Sequence, residues 1–306
     1  MARPFLRFED GKITLNNKDL MVNSASLSIS PSLQVERVYG DYDAQIAGAR
    51  TEFVNFAPTQ NMQGQLNISF YMSADTISPN SVNRLFELLE VADPGNAKSS
   101  ISEAPINGNV VGRYSFDNMF LTSFNLKLEP FRLIVANASY NIYGTINKTV
   151  DRYFTKSDVD FAHALKSFGE VKISNQATDE EFEVKSLNYN INVERKISNK
   201  IRENENTAIN TYAGGALPHR VSVESITSEV NIEGNEMAQN LNPYGDQQTS
   251  SSPFGIDDSQ VDIFLYSLGG ERISRLHCAG KIQNQSMNIA EGSHATSSIT
   301  IKQIIK

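Results

Sequence analysis

Four histidines and one cysteine are the side chains of this sequence best suited to metal binding or nucleophilic catalysis: His163, His219, His277, His294 and Cys278. Zinc sites and nucleophile–base pairs need such residues at short, recurrent spacings or brought together by the fold. None of the histidines stands at ligand spacing from another histidine or from the cysteine. His277 and Cys278 are neighbours in a predicted strand, so they point to opposite faces. We therefore predict that Cys278 is structural and that His277 lies on the surface.

Carboxylate groups provide a second set of possible ligands, at Asp41 and Asp43 and at Asp257, Asp258 and Asp262. Calcium loops also require a glycine at the turn and a closing acidic ligand, which neither stretch has. The sequence contains no glycine-rich phosphate loop between a strand and a helix, and no nucleophile elbow. We predict that the protein is not an enzyme and has no catalytic residues, no cofactor and no metal site.

The charge balance argues against tight binding of nucleic acid. The 306 residues carry a net charge of −8, with 12 basic and 14 acidic residues in 1–150 and 15 and 21 in 151–306. Proteins that hold phosphates present a basic stripe. The most basic stretch, 195–202, is surrounded by Glu194, Glu203 and Glu205, which is typical of a solvated surface.

One cysteine excludes an internal disulfide and suits a reducing compartment. No apolar run approaches the roughly 20 residues of a membrane span.

The strongest signal is an internal repeat. Val22–Ser30 reads VNSASLSIS and Val184–Asn192 reads VKSLNYNIN, at an offset of 162 residues (184 − 22). Both alternate apolar and small polar residues, the period of a strand with one dry and one wet face. Further matches follow in the same order: 12–16 with 171–175, 35–37 with 193–195, 64–72 with 224–232, and 136–142 with 295–301. This alignment places Leu66 on Ile226 and Ala136 on Ala295.

Tandem copies of a strand-rich unit predict an all-β protein of two antiparallel β-sandwich or barrel domains, each with one short helix. The expected domains are 1–150 and 169–306, joined by a linker over 151–168 that holds a short helix ending near Lys166. Helical spacing marks Val82–Leu89 in the first domain and, weakly, Asn235–Asn240 in the second. Long loops are expected at Gly40–Asn61 and Ser198–Arg220.

One block resembles a known family. Tyr114–Gly144 reads YSFDNMFLTSFNLKLEPFRLIVANASYNIYG, which is similar to tail-tube and related tube-forming virion proteins of tailed bacteriophages. The similarity lies in Leu121-Thr122-Ser123-Phe124, in the alternating strands and in Tyr143-Gly144. The second copy departs from the pattern, with Ile282–Gln285 in place of the first motif and Lys302-Gln303 in place of the second.

The resemblance implies a structural virion protein of the inner tail tube or of a tube-initiating ring, assembled in the host cytoplasm and located in the virion tail. Two domains per chain then imply a homotrimer with pseudo-sixfold rings that stack. Implied partners are other copies of the chain and other tail proteins such as sheath, baseplate or terminator. DNA would pass without specific binding, and no membrane is involved. The alternative is a carbohydrate- or receptor-binding β-sandwich of a fibre or adhesin, which predicts exposed aromatic residues clustered in loops.

The polar positions of the repeated strand are the candidate functional residues: Ser24, Ser26, Ser28, Ser30, Asn188, Asn190 and Asn192. We hypothesise that these small neutral side chains line the channel or meet the neighbouring domain, with the acidic excess around them or in adjoining loops. Small uncharged groups would leave a wet wall that does not hold phosphates. The competing hypothesis places them on the outer wall and builds the lumen from Met62–Ser73 and its counterpart.

Overall fold

The computed structural model describes residues 13–15, 18–30, 33–39, 52–58, 63–72, 106–110, 114–130, 132–144, 146–148, 165–175, 178–181, 184–198, 220–235, 258–267, 272–291 and 295–305. These residues form strands, turns and short connections without a helix, so the predicted all-β class is confirmed. The strands of the first half are β1 (Ile13–Leu15), β2 (Lys18–Ser30), β3 (Leu33–Tyr39), β4 (Glu52–Pro58), β5 (Gln63–Tyr71), β6 (Ile106–Val110), β7 (Tyr114–Leu128), β8 (Val135–Ile142) and β9 (Ile146–Lys148). Those of the second half are β10 (Leu165–Asn175), β11 (Thr178–Glu181), β12 (Val184–Ser198), β13 (Arg220–Asn235), β14 (Asp258–Ser267), β15 (Arg272–Asn288) and β16 (Thr296–Ile305).

Fourteen of these strands form one antiparallel sheet. Its order is β11-β10-β14-β15-β16-β13-β12-β7-β6-β1-β2-β5-β8, with β9 beside β7. The remaining two, β3 and β4, pair only with each other. Since β8 also pairs with β7, the six strands β1-β2-β5-β8-β7-β6 close into a barrel. In a closed barrel each strand has a neighbour on both sides along its paired segment, so that segment has no exposed edge.

The second half repeats the strand order of the first. The neighbour order β10-β14-β15-β16-β13-β12 in the second half corresponds, strand by strand, to the neighbour order β1-β6-β7-β8-β5-β2 in the first half. Both halves begin with the same tight hairpin, closed by Leu15 opposite Lys18 in one and by Asn175 opposite Thr178 in the other. The repeat in the sequence is therefore also a repeat of strand order.

Two shared β-bulges fix how the copies align. The register of β2 on β5 shifts between Val22 and Ser24, and that of β12 on β13 shifts between Val184 and Ser186. The register of β7 on β8 shifts between Leu121 and Ser123, and that of β15 on β16 shifts between Ile282 and Asn284. The predicted match of Leu121–Phe124 with Ile282–Gln285 is thereby confirmed, at an offset of 161 residues (282 − 121).

The same bulges correct two positions of the alignment. Leu66 lies opposite Leu27, and Val230 lies opposite Tyr189, the counterpart of Leu27, so Leu66 corresponds to Val230 and not to Ile226. By the same reasoning Ala136 corresponds to Ser297 and not to Ala295. A shift by an even number of residues keeps every side chain on its face, so alternation alone could not detect these errors.

Three element predictions are also corrected. Leu165 and Lys166, expected in a linker helix, begin β10, and Glu52–Pro58, expected in a loop, forms β4. Asn235, expected to start a helix, ends β13. The other residues of the three predicted helices and of the loop after Ser198 lie outside the described residues.

The core is continuous across the two halves. One cluster of buried apolar side chains includes Phe70, Phe124 and Tyr140 of the first half and Tyr189 and Val230 of the second. These residues occupy alternate positions of their strands, so the pattern that predicted dry faces in the sequence is the pattern that builds the core.

Candidate assembly surface

A polar sheet face lies opposite the core. It belongs to eight consecutive strands, β2-β5-β8-β7 of the first half and β12-β13-β16-β15 of the second. We call it the polar face and define it by the following residues: Ser24, Ser26, Ser28, Ser30, Gln65, Asn67, Ser69, Asn137, Ser139, Asn141, Ser123, Asn125, Lys127, Asn188, Asn190, Asn192, Glu194, Thr227, Glu229, Asn231, Glu233, Ser298, Thr300, Lys302, Lys281, Asn284, Ser286 and Asn288. Most are small, neutral and able to form hydrogen bonds.

All seven residues singled out from the sequence lie on the polar face. The four serines of β2 and Asn192 are exposed, while Asn188 and Asn190 are half-buried. Ser26 lies opposite Asn67 of β5, and Ser28 lies opposite Gln65. The two competing hypotheses thus concern one face, because β2 and β5 present their polar residues side by side.

The halves meet through direct pairing of β7 with β12, which we call the junction. Leu187 lies opposite Leu128, Tyr189 opposite Leu126 and Ile191 opposite Phe124, and all six side chains are buried. The intervening pairs lie on the polar face: Asn188 with Lys127, Asn190 with Asn125, and Asn192 with Ser123. The junction therefore makes one sheet, with one dry and one wet face, out of two repeats.

Asparagine side chains connect the repeats on the wet side. The Asn125 amide donates to Oδ1 of Asn188 at 2.6 Å and also to Oδ1 of Asn190. Oδ1 of Asn125 accepts a longer hydrogen bond, at 3.5 Å, from Asn137 of β8. Asn188 and Asn190 thus contact the other repeat.

A second contact at the junction was missed by sequence reasoning. Arg195, expected on a solvated surface, is half-buried, donates from Nε to the carbonyl oxygen of Leu121 at 3.0 Å and lies 5.1 Å from the ring centre of Phe120. Phe120 and Tyr143 of the first half form a small buried cluster with Val221 of the second. The only sequence signal was the recurrence of Val-Glu-Arg at 35–37 and 193–195, which does not reveal a partner.

Charges on the polar face are few and of both signs. The face holds Lys127, Lys281 and Lys302 and also Glu194, Glu229 and Glu233, with Glu229 directly opposite Lys302. The polar face itself therefore carries no acidic surplus. The expectation of acidic residues around the candidates or in adjoining loops stays a prediction, because residues 40–51 and 199–219 lie outside the described residues. The balance still leaves no cationic stripe that would hold phosphates.

Glu129, at the end of β7, holds a small exposed ion-pair group. Its Oε1 lies 2.6 Å from Lys127 Nζ and its Oε2 lies 3.0 Å from an Arg132 guanidinium nitrogen. The hydrogen bond from Lys127, with the positive charges of Lys127 and Arg132, lowers the pKa of the Glu129 carboxyl. Exposed pairs of this kind contribute little to stability.

The described residues offer no grouping suited to a metal: among them, no three His, Cys, Asp or Glu side chains converge. His277 and Cys278 lie in β15, and Asp258 and Asp262 lie in β14. The other histidines and Asp41, Asp43 and Asp257 lie outside the described residues. Within the same part of the chain, no helix has the length and apolar character needed to cross a membrane.

No protein-family model matches this chain, and no curated protein sequence matches it either. Functional inference consequently depends on the geometry of the repeats, the junction and the polar face.

Proposed function

We propose that the protein is a structural virion protein of a tailed bacteriophage, forming the inner tail tube or a tube-initiating ring through which DNA passes. On this proposal, copies of the chain associate side by side into rings of six repeats, contributed by three chains, and the rings stack. Other tail proteins, such as sheath, baseplate or terminator, are the expected further partners. The site of action is the virion tail, after assembly in the host cytoplasm.

The junction is the observation that carries the proposal. It joins two copies of one four-stranded sheet, β2-β5-β8-β7 and β12-β13-β16-β15, edge to edge within a single chain. A sheet that grows by repeating the same contact must either remain open or curve until it closes. Closure would remove the exposed edges, which are otherwise templates for aggregation.

The polar face supports a channel wall on the inside of such a ring. Its serine, asparagine, glutamine and threonine side chains keep the surface wet without concentrating positive charge. Binding to DNA depends mainly on lysine and arginine contacts to phosphates, with release of counterions. A wall with balanced charge in a protein of net charge −8 would let DNA move without being held.

The alternative, a carbohydrate- or receptor-binding protein, gains no specific support from the described strands. Their large exposed apolar residues are aliphatic: Ile29, Met287, Ile289 and Ile304. The loop aromatics that would favour this function, at 42, 212, 244 and 254, lie outside the described residues.

Electron microscopy of the purified protein tests the proposal. We expect rings or tubes with a central hole, and sixfold symmetry in averaged end views. The tube function would be refuted by a protein that stays monomeric at high concentration in light scattering. Rings with twelve repeats would refute the trimer alone.

A further inference from the structure

Exposed aliphatic side chains occur at four sites of the described strands, and each has a buried counterpart in the other repeat. Ile29 is 42% exposed, Met287 66%, Ile289 72% and Ile304 55%. Their counterparts, from the alignment fixed by the bulges, are Ile191 at 1%, Leu126 at 0%, Leu128 at 6% and Tyr143 at 4%. All four counterparts are buried where the two repeats meet. Each of these positions is thus covered in the repeat that uses it where the two repeats meet and uncovered in the other repeat.

Three of the uncovered residues, Ile29, Met287 and Ile289, lie along two strand edges that no described strand occupies, whereas Ile304 lies in β16. One edge of β2 pairs with β5, while its other edge pairs with β1 only over Lys18–Leu20. One edge of β15 pairs with β16, while its other edge pairs with β14 only as far as Lys281. Among the described residues, the stretches that lack a partner on this edge are therefore Ala25–Ser30 and Asn284–Ile289. They correspond to the two sides of the junction, 187–192 of β12 and 123–128 of β7.

We infer that β15 of one copy pairs antiparallel with β2 of the next copy, in the register of the internal junction. The partners follow from the junction pairs when each residue of β12 is replaced by its counterpart in β2 (offset 162) and each residue of β7 by its counterpart in β15 (offset 161). This gives Ala25 opposite Ile289, Leu27 opposite Met287, Ser28 opposite Ser286 and Ser30 opposite Asn284. The occupant of each edge is a second copy of this chain, because the interface it completes is one that the chain already makes with itself. The contact is head-to-tail, so it propagates into a ring or a filament.

The side chains on the two edges suit this pairing on both faces. Leu27 and Met287 would meet on the dry face, as Tyr189 and Leu126 do in the junction. Ser28 and Ser286 would meet on the polar face at the place of Asn190 and Asn125, with no like charges opposed. One position differs: Gln285 stands where the junction has the buried Phe124, so the intermolecular contact is less apolar than the internal one. A weaker contact between chains than within a chain is the expected order for subunits that assemble after folding.

The inference rests on the proposed function only for the premise that copies assemble, whereas the register comes from the junction. Cysteine cross-linking tests it in chains that carry Cys278→Ser. We would mix the variant Ser28→Cys with the variant Ser286→Cys and oxidise them, since directly opposed residues lie within disulfide reach. The matched control mixes Ser30→Cys with Asn288→Cys, which the register places four residues, about 13 Å, apart. We expect about tenfold more covalent dimer from the first pair than from the control, and no dimer from either variant alone.

The outcomes separate this inference from the proposed function. Rings or tubes in micrographs without the Ser28–Ser286 cross-link would overturn the register and leave the tube function standing. The cross-link in open filaments without a central channel would support the register and refute the tube. Monomers that neither assemble nor cross-link at high concentration would overturn both.

Discussion

Tyr140 has a buried hydroxyl group for which the described residues provide no hydrogen-bond partner. Its side chain belongs to the main hydrophobic core and is among the largest fully buried ones. Burial raises the pKa of the Tyr140 phenol above its ordinary value. Such a group contributes packing while its polar atom carries an uncompensated desolvation cost.

We therefore expect Tyr140→Phe to raise the free energy of unfolding by about 1 kcal/mol. Tyr143→Phe is the matched variant and should lower it by about 1 kcal/mol, because the Tyr143 hydroxyl accepts a hydrogen bond from Asn141 at 3.3 Å. Denaturant titration followed by circular dichroism measures both values. A loss of stability in Tyr140→Phe equal to that in Tyr143→Phe would contradict the assignment.

The comparison of Tyr140→Phe with the wild type also carries a pH prediction. Because the folded-state pKa of Tyr140 is raised, its contribution to stability is complete below the unfolded pKa of about 10 and is lost as the pH rises above that value. Wild-type protein should thus lose stability faster than Tyr140→Phe between about pH 10 and 11. Parallel alkaline profiles for the two proteins would show that the buried phenol does not titrate with unfolding.

At the scale of elements, β7 connects the two repeats because it serves different partners along its length. Its first residues pair with β6 and β9, and its later residues pair with β8 and β12. The change occurs at Asp117-Asn118, where Asn118 has a φ of 53°. Asparagine tolerates this left-handed conformation better than most residues. The carbonyl oxygen of Asn118 accepts a backbone hydrogen bond from Tyr143 at 3.0 Å, which fastens the bend to the end of β8.

Gly144 is required beside this bend. A Cβ atom at Gly144 would come within 2.2 Å of the carbonyl oxygen of Asp117. We expect Gly144→Ala to destabilise the protein by about 2–3 kcal/mol, since backbone must move. Gly64→Ala is the control and should cost less, because its closest clash is with the terminal carbon of Ile146, at 2.9 Å, on a flexible side chain. Thermal unfolding of both variants decides the order, and the reverse order would refute the role given to the bend.

At the scale of the whole molecule, the chain makes one copy of the interface internally, by pairing β7 with β12. The corresponding stretches of β15 and β2 have no partner on that edge among the described residues, and their pairing between chains would explain why a folded chain associates. Burial of Met287 in that contact makes it sensitive to charge, because an unpaired carboxylate is costly to desolvate.

Met287→Asp should accordingly raise the protein concentration needed for assembly by at least about tenfold. The variant should unfold like the wild type, because Met287 is 66% exposed in the single chain. Asn147→Asp adds the same charge at an exposed position of β9, on neither of the two proposed edge strands, and should assemble normally. Light scattering over a concentration series compares the three proteins, and equal assembly of Met287→Asp and wild type would contradict the proposed interface.

The sequence by itself determined the class of fold, the duplication and the wet and dry positions of the repeated strand. These follow from a period of two and from repetition at a nearly constant offset, both of which are local properties of the chain. All seven candidate residues accordingly lie on one polar face. The sequence alone also found the correspondence of Leu121 with Ile282, which the bulges at matching places in β7 and β15 confirm.

Only the tertiary structure decided which edges meet. Alternation is unchanged by an even shift, so it could not exclude Ile226 as the counterpart of Leu66, and it says nothing about the partner of β12. Pairing of β12 with β7 joins residues 63 positions apart at Asn125 and Asn188, and no local pattern encodes such a contact. The half-buried Arg195 shows the same limit, because a charged residue in a charged stretch looks solvated until the neighbouring repeat is placed beside it. Long-range edge pairing depends on the whole sheet, which is why the assembly surface became visible only in three dimensions.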